Sequence, residues 1–440
     1  MGNIIKGVLA ILVLLVGVIL FRTFTFGGDV TDYSQTDLPT PPAIDVDRAA
    51  ENLGAEIRIR TITTRRGDPQ EGREGPWIEF KAFLEAIYPD LLSQTRVETV
   101  AGFTLIYTWE GSDPSLNPII LMAHQDVVPI NMGTVEDWEH GPFAGLVADG
   151  YVWGRGAMDD KGSLIAIMEA GNTLAKSGWT PKRTIIFQFG HDEEIAGIGA
   201  EAAFAHHKAN GVTPFMVLDE GMAVIKENPL TGKQTAFIGV AEKGYQSLVI
   251  RSKTQGGHSS RPPRESGAVR IARAIVALEE NQMPADLHAA PFSDTVEAVA
   301  ADLPFTTKMA FANKWAFGGL IKGQTKSSST TNALLRTTTA PTMMAGSIKD
   351  NVLPQQAQAV VNFRIHPADT IDDLMAHVKK TTAHIEGLEI EPYEGGIGSA
   401  PSPVSASEGE VYDALASVAS AAGDGAPVAP ALVIGGTDAR

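Results

Sequence analysis

Thr184-Ile185-Ile186-Phe187-Gln188-Phe189 runs without a break into Gly190-His191-Asp192-Glu193-Glu194. The first part is almost continuously apolar, as a strand covered on both faces of a sheet must be, and the acidic second part reads as the loop at its carboxyl end. The same grammar recurs on either side. Pro118 to Ala123 reads as a strand and delivers His124-Gln125-Asp126, and Pro214 to Leu218 reads as a strand and delivers Asp219-Glu220. Thr104 to Trp109 is a further strand, and Gly162 to Ser177 and Ile198 to Asn210 are helices set between strands. That alternation is the pattern of an α/β domain. In open α/β sheets ligands collect outside the carboxyl ends of the strands, which is where these polar residues fall.

Each polar segment is ambiguous by itself. His124 and Asp126 lie two apart in extended chain and so point to the same side. An imidazole ligand usually gives its second ring N–H to a carboxylate, so Asp126 is expected either to orient His124 or to hold the neighbouring loop. A hydrogen-bonded surface pair would look the same. Gly154-Arg155-Gly156-Ala157-Met158-Asp159-Asp160-Lys161-Gly162 is a glycine-rich turn that delivers two adjacent acids to a helix. Neighbouring carboxylates are costly without cations or hydrogen bonds, although Asp160 as a helix cap and Asp159 in solvent would also suffice. Of Glu193 and Glu194, one can bind a metal while the other acts as general base toward a water. Taken together, His124, Asp159, Glu194 and Asp219 arrive from successive strand ends, and such a cluster needs divalent cations to be stable. A last segment, Gln255-Gly256-Gly257-His258-Ser259-Ser260-Arg261-Pro262-Pro263, either presents His258 to an active site or leaves it in solvent.

Composition narrows the chemistry. A formal net charge of -17 argues against nucleic acid as a partner. Cysteine is absent, so no disulfide forms and any metal must be held by His and carboxylate groups. Residues 4–22 form an apolar stretch long enough to span a bilayer with Lys6 snorkelling. The sequence after it, Arg22-Thr23-Phe24, is a poor cleavage site, so a retained single-pass anchor is expected rather than a cleaved signal. We expect the N-terminus inside and the catalytic body extracytoplasmic, in a periplasm or lumen. Residues 23–45, with Pro39, Pro41 and Pro42, read as a linker. Beyond it the chain divides into 46–240, a smaller α+β insertion over 241–365, and a return to the first domain over 366–440, with a helix from Glu410 to Ala421.

These motifs, in this order, resemble the family of two-zinc hydrolases that includes carboxypeptidase S, aminoacylase, glutamate carboxypeptidase, acetylornithine deacetylase and succinyl-diaminopimelate desuccinylase. The resemblance covers nearly everything from residue 46 onward and looks closest to the carboxypeptidase S branch. It implies a catalytic α/β domain with a mixed central sheet flanked by helices, plus a ferredoxin-like lid and dimerisation domain. It also implies two Zn2+ ions, with Co2+ or Mn2+ as substitutes. His124 and Asp219 would bind one ion, Glu194 the other, and Asp159 would bridge them through a cis Asp159–Asp160 peptide. Glu193 would be the base, Asp126 would orient His124, and His258 from a partner subunit of a homodimer would stabilise the oxyanion. Asn351 and Arg440 match substrate-binding positions. The substrate would be a small peptide or an N-acyl amino acid. One departure stands out. The family closes its second zinc site with a histidine well after the Gly435-Gly436-Thr437-Asp438 motif, and no histidine here stands in that context, so the resemblance implies a C-terminally truncated sequence. The competing reading is a membrane-tethered, non-catalytic binding protein that kept the fold; the intact Glu193 and ligand set argue against it.

Overall fold

The computed structural model describes residues 2–28, 30–325, 328–396 and 398–440; Asp29 of the expected linker lies outside them. The chain opens with helix α1 (Gly2–Thr25), whose mean hydropathy reaches 3.0. Among the described residues it is the one helix long and apolar enough to cross a membrane. The chain forms two compact units. One holds Pro39–Glu220 with Thr437–Arg440, and the other holds Met1–Leu38 with Gly221–Gly436.

The first unit is built on a mixed sheet. Its strands are β1 (Thr95–Val100), β2 (Thr104–Trp109), β3 (Ile119–His124), β6 (Ile185–Gly190) and β7 (Met216–Leu218), in the order β1-β2-β6-β3-β7; β4 (Leu146–Ala148) and β5 (Tyr151–Trp153) form a separate hairpin. β2 runs antiparallel to β1 and β6, whereas β3 runs parallel to both β6 and β7. Helices α2 (Val46–Arg58), α3 (Gly75–Ile87), α4 (Pro89–Leu92), α5 (Lys161–Lys176) and α6 (Gly199–Ala209) complete it. Because strand side chains alternate, the sheet buries both faces. Leu105, Tyr107, Phe187 and Phe189 meet Phe80, Leu84, Leu164 and Met168 on one side, while Ile106, Ile120, Met122 and Ile186 meet Ala203 on the other. The β3–β6 register pairs His124 with Gly190. That pairing brings the two polar segments to one edge of the sheet.

The second unit has several layers. Strands β8 (Val224–Ile225) and β9 (Thr235–Glu242) join the last strand, β16 (Val428–Val433), in a three-stranded sheet that α13 (Glu410–Ala422) covers. Strand β10 (Gly244–Lys253), helix α7 (Gly267–Glu280), strands β12 (Thr338–Ala345) and β14 (Gln356–Ile365), helix α12 (Ile371–Thr382) and strand β15 (Leu388–Pro392) follow the βαββαβ order. They pair antiparallel as β12-β14-β10-β15, the ferredoxin-like arrangement, and the two elements after residue 365 complete it. The strands β11 (Gly257–His258) and β13 (Val352–Leu353) form a small ribbon. Between α7 and β12 stand four helices that the strand-and-turn pattern did not suggest: α8 (Phe292–Ala298), α9 (Phe305–Ala312), α10 (Lys314–Thr325) and α11 (Ser329–Leu335).

Candidate metal centre

The site grows from the carboxyl ends of β3, β6 and β7. His124 closes β3 and is 1% exposed. Its Nδ1 lies 3.0 Å from the main-chain carbonyl of Asp126, which can only accept, so Nδ1 carries a proton, and Nε2 faces the acids. Nε2 is 3.0 Å from Asp159 Oδ1, 3.3 Å from Glu220 Oε1 and 3.9 Å from Glu193 Oε2. Burial works against a charged ring here, but hydrogen bonds that the ring donates to Asp126, Asp159 and Glu220 outweigh it and hold the His124 pKa well above its usual value.

The Asp126 side chain faces the acidic loop. Its Oδ1 accepts the N–H of Glu193 at 3.0 Å, and its Oδ2 accepts the N–H of Glu194 at 3.2 Å and the Thr63 hydroxyl at 2.7 Å. One fully buried residue therefore meets the imidazole through its carbonyl and the acidic loop through its carboxylate. The loop is also braced at its base. Thr104 Oγ1 meets His191 Nδ1 at 2.7 Å, Trp77 Nε1 donates to the His191 carbonyl, and Asp192 accepts the N–H groups of Ile198 and Gly199.

Among the described residues two donor groups result, one of His124, Glu193 and Glu220 and one of His124, Asp159 and Glu194, with the donor atoms of each within 4.8 Å of one another. The Asp159–Asp160 peptide is cis. Asp160 stands at the cap position of α5, yet its carboxylate accepts the His124 N–H at 3.3 Å instead of capping the helix. Asp219 belongs to neither group; it hydrogen-bonds to Thr437, and its neighbour Glu220 is the acid nearer His124.

The electrostatics favour a cation. Burial pushes the Glu193 carboxyl up to about 9 against the opposing charge of His124, with Asp438 and Glu220 adding to the rise. Burial likewise raises Asp438 to about 8, with Asp219 nearby, and Glu194 to about 7, with Asp159 nearby. Asp160 rises to about 7 and Asp219 to about 6, again through burial first. The oxygens Asp160 Oδ1, Asp219 Oδ2 and Asp438 Oδ2 are buried without a hydrogen-bond partner. Acids this close share protons unless positive charge arrives. A set of one imidazole and several carboxylate oxygens, without sulfur, suits Zn2+, Co2+ or Mn2+.

Two residues at this centre, Glu220 and Asp438, did not emerge as candidates from the motifs. Glu220 was hidden beside Asp219, and Asp438 carried the signal of a strand-end acid in Gly435-Gly436-Thr437-Asp438. Gly190 makes room for it, since a Cβ there would stand 2.4 Å from Asp438 Oδ2. Arg440 is exposed two residues further on. In the second unit, His258 and Asn351 are neighbours: β11 pairs His258 with Val352, and the Ser259 N–H donates to the Asn351 carbonyl at 3.1 Å. His258 is exposed and its Nδ1 meets Ser260 Oγ, while Asn351 Oδ1 is buried without a partner.

Known proteins share this chain's sequence and fold. Residues 120–440 match peptidase family M20/M25/M40. The probable carboxypeptidase S-like 2 of Dictyostelium discoideum is 34% identical over 89% of this chain and 75% of its own length. The N-fatty-acyl-amino acid synthase/hydrolase PM20D1 of Xenopus tropicalis is 34% identical over 98% of this chain and 83% of its own. Among solved structures, the M20 family metallo-carboxypeptidase Sso-CP2 of Sulfolobus solfataricus has the same fold, with a TM-score of 0.60 at 19% identity over 90% of this chain and 87% of its own. With the family match spanning the strand ends that carry His124, Glu193 and Glu194, the chain belongs to peptidase family M20/M25/M40 and is an enzyme of that family.

Proposed function

We propose that the protein hydrolyses the amide bond between an acyl or aminoacyl group and an amino acid, using two divalent cations, zinc first, held at the ends of β3, β6 and β7. The observation that carries this reading is the donor group of His124, Asp159 and Glu194, with Glu220 reaching the same imidazole at 3.3 Å. Bound there, the cations would polarise the scissile carbonyl and lower the pKa of water in the cleft toward neutrality. His124, Asp159 and Glu194 would hold them, with Asp219 or its neighbour Glu220 completing the set. Glu193 takes the proton from the attacking water and passes it to the departing amine. Asp126 keeps Glu193 in place. His258, supplied by the partner in a homodimer, is our candidate for the oxyanion contact, and Asn351 and Arg440 are our candidates for substrate contacts.

The substrate class rests on the relatives, whose names include both carboxypeptidases and an N-fatty-acyl-amino acid hydrolase. A mainly apolar groove of about 580 Å3, lined by Ile62, Pro129, Ile130, Met132, Val135 and Phe143 with Arg60 beside them, supports a place for an apolar acyl group. Its wall starts next to Val128, whose N–H lies 3.3 Å from Glu194 Oε1. Helix α1 would be retained as an anchor, with the enzyme body outside the cytoplasm. Elemental analysis combined with a panel of N-acyl amino acids and dipeptides tests the proposal. Bound zinc and chelator-sensitive hydrolysis are expected. Hydrolysis that survives complete metal removal would overturn it.

A further inference from the structure

An anchor is commonly joined to its enzyme by a slack tether, and the linker expected from residue 23 onward fits that picture. The last turn of α1 does not. Thr23 is 1% exposed, and the buried Asn313 points its amide at the Ile19 carbonyl and Thr23 Oγ1, each at 3.2 Å. Arg22 Nε donates to the Ala312 carbonyl at 3.0 Å. Phe26 joins the apolar cluster of Phe292, Phe311 and Ile321. The end of α1 is thus built into the corner where α9 meets α10, and that corner must sit wherever α1 leaves its surroundings.

The outer surface of the same corner is apolar. α9 and α10 turn Phe311, Ala312 and Ile321 inward, yet Phe305, Trp315 and Leu320 stand 50%, 57% and 60% exposed. Trp315, Ala316, Gly319 and Leu320 share one face of α10 by helical spacing, where a helix facing water would carry polar groups. This face continues into the anchor: Phe24 lies against Phe305 with ring centroids 6.0 Å apart, and Phe21 and Phe24 are exposed. The local charge is also inverted. In a chain with 52 acidic residues, none occurs between Asp302 and Asp350, while Lys308 and Lys322 lie on α9 and α10; Lys314 turns inward and donates to the Leu287 carbonyl. A helix with an apolar face and lysines around it matches the interfacial region of an anionic bilayer.

We infer that α9 and α10 lie in the headgroup layer of the membrane that α1 enters, with Phe305, Trp315 and Leu320 dipping toward the acyl chains. The inference rests on the reading of α1 as an anchor and adds a second contact, which fixes the body's orientation on the bilayer instead of leaving it to swing. Since the chain has no cysteine, a single one can be placed at will. The test uses the full chain in vesicles of phosphatidylcholine and phosphatidylglycerol, with a nitroxide on Leu14→Cys, Leu320→Cys or Val418→Cys, all at exposed positions. Collisions with oxygen, which concentrates in lipid, are compared with collisions with a water-soluble relaxation agent. Oxygen should dominate at positions 14 and 320, and the aqueous agent at 418. Lipid contact at 14 but water contact at 320 would overturn the inference and leave the anchor standing. Spin–spin broadening between chains at 320 would overturn it in favour of a second copy. Water contact at both 14 and 320 would remove the anchor reading as well.

Discussion

At the ends of β3 and β6 the chain crowds acids out of water, and along α10 it leaves a tryptophan and a leucine in it. Both arrangements are unfavourable as they stand, and they ask for different companions. Unpaired buried charge costs several kcal/mol per group, whereas exposed apolar surface costs only about 25 cal/mol per Å2. Glu193, Glu194, Asp160, Asp219 and Asp438 therefore sit in a region that positive charge must complete, and Trp315 and Leu320 in one that lipid contact improves. Only in the acidic region should one substitution silence the protein.

The largest effect should come from Glu193→Ala. As the proposed base it should lose about 10²-fold to 10⁴-fold in kcat with metal content unchanged. A rate like the parent's would remove Glu193 from the chemistry. His258→Ala should lower kcat by about 10²-fold, as loss of an oxyanion donor does, again with full metal content. If kcat does not move, His258 is a solvent-facing loop residue. Asp126→Asn should weaken metal binding by about 10-fold to 100-fold, because an amide cannot accept from Glu193, Glu194 and Thr63 together. Metal titration of the variant checks this, and unchanged affinity would mean that the loop is held by its other braces.

The smallest effect is on the metal-free protein and tests the origin of the cluster. Carboxyls with ordinary values of 3.8 or 4.5 are raised to between about 6 and about 9 in the fold. The folded chain then binds more protons than the unfolded one across that window, so stability is full below pH 4 and declines as pH rises toward 9. Thermal unfolding should show a Tm that falls from pH 5 to pH 9 without metal, by about 2–4 °C for each kcal/mol lost. Saturating zinc should flatten the profile, because bound cation replaces the protons. A metal-free Tm that rises over this range would show that the acids are not held in mutual conflict.

The legible part of the fold was the part with a strong period. Thr104–Trp109 is a strand with the same ends in sequence and structure, and the strands at 119–124 and 185–190 and the helix at 161–176 shift by a residue at their ends. α8 to α11 were not legible. They are short, they contain pairs such as Gly318-Gly319, and α10 is apolar toward both the interior and the outside, so no single face repeats at helical spacing. At the site, His124, Asp159, Glu193 and Glu194 were visible as acids and a histidine at strand ends, and the structure brings them together. Glu220 and Asp438 were obscured for different reasons. An adjacent acid pair does not say which member faces inward, and Asp438 reaches the cluster only because Gly190 lacks a side chain.

What the sequence determined alone is the chemistry available: a cysteine-free, acidic chain with an N-terminal helix apolar and long enough to span a bilayer and polar residues timed to the ends of buried strands. Those are local properties, set by side-chain period and composition. Tertiary structure decided how they combine. The parallel register of β3 and β6 sets His124 beside Gly190, the turn after β7 places Glu220 3.3 Å from the imidazole, and the Asn313 amide locks the end of α1 against α9 and α10. Each of these depends on contacts between residues far apart in the chain, whose geometry exists only once the sheet and helices have packed.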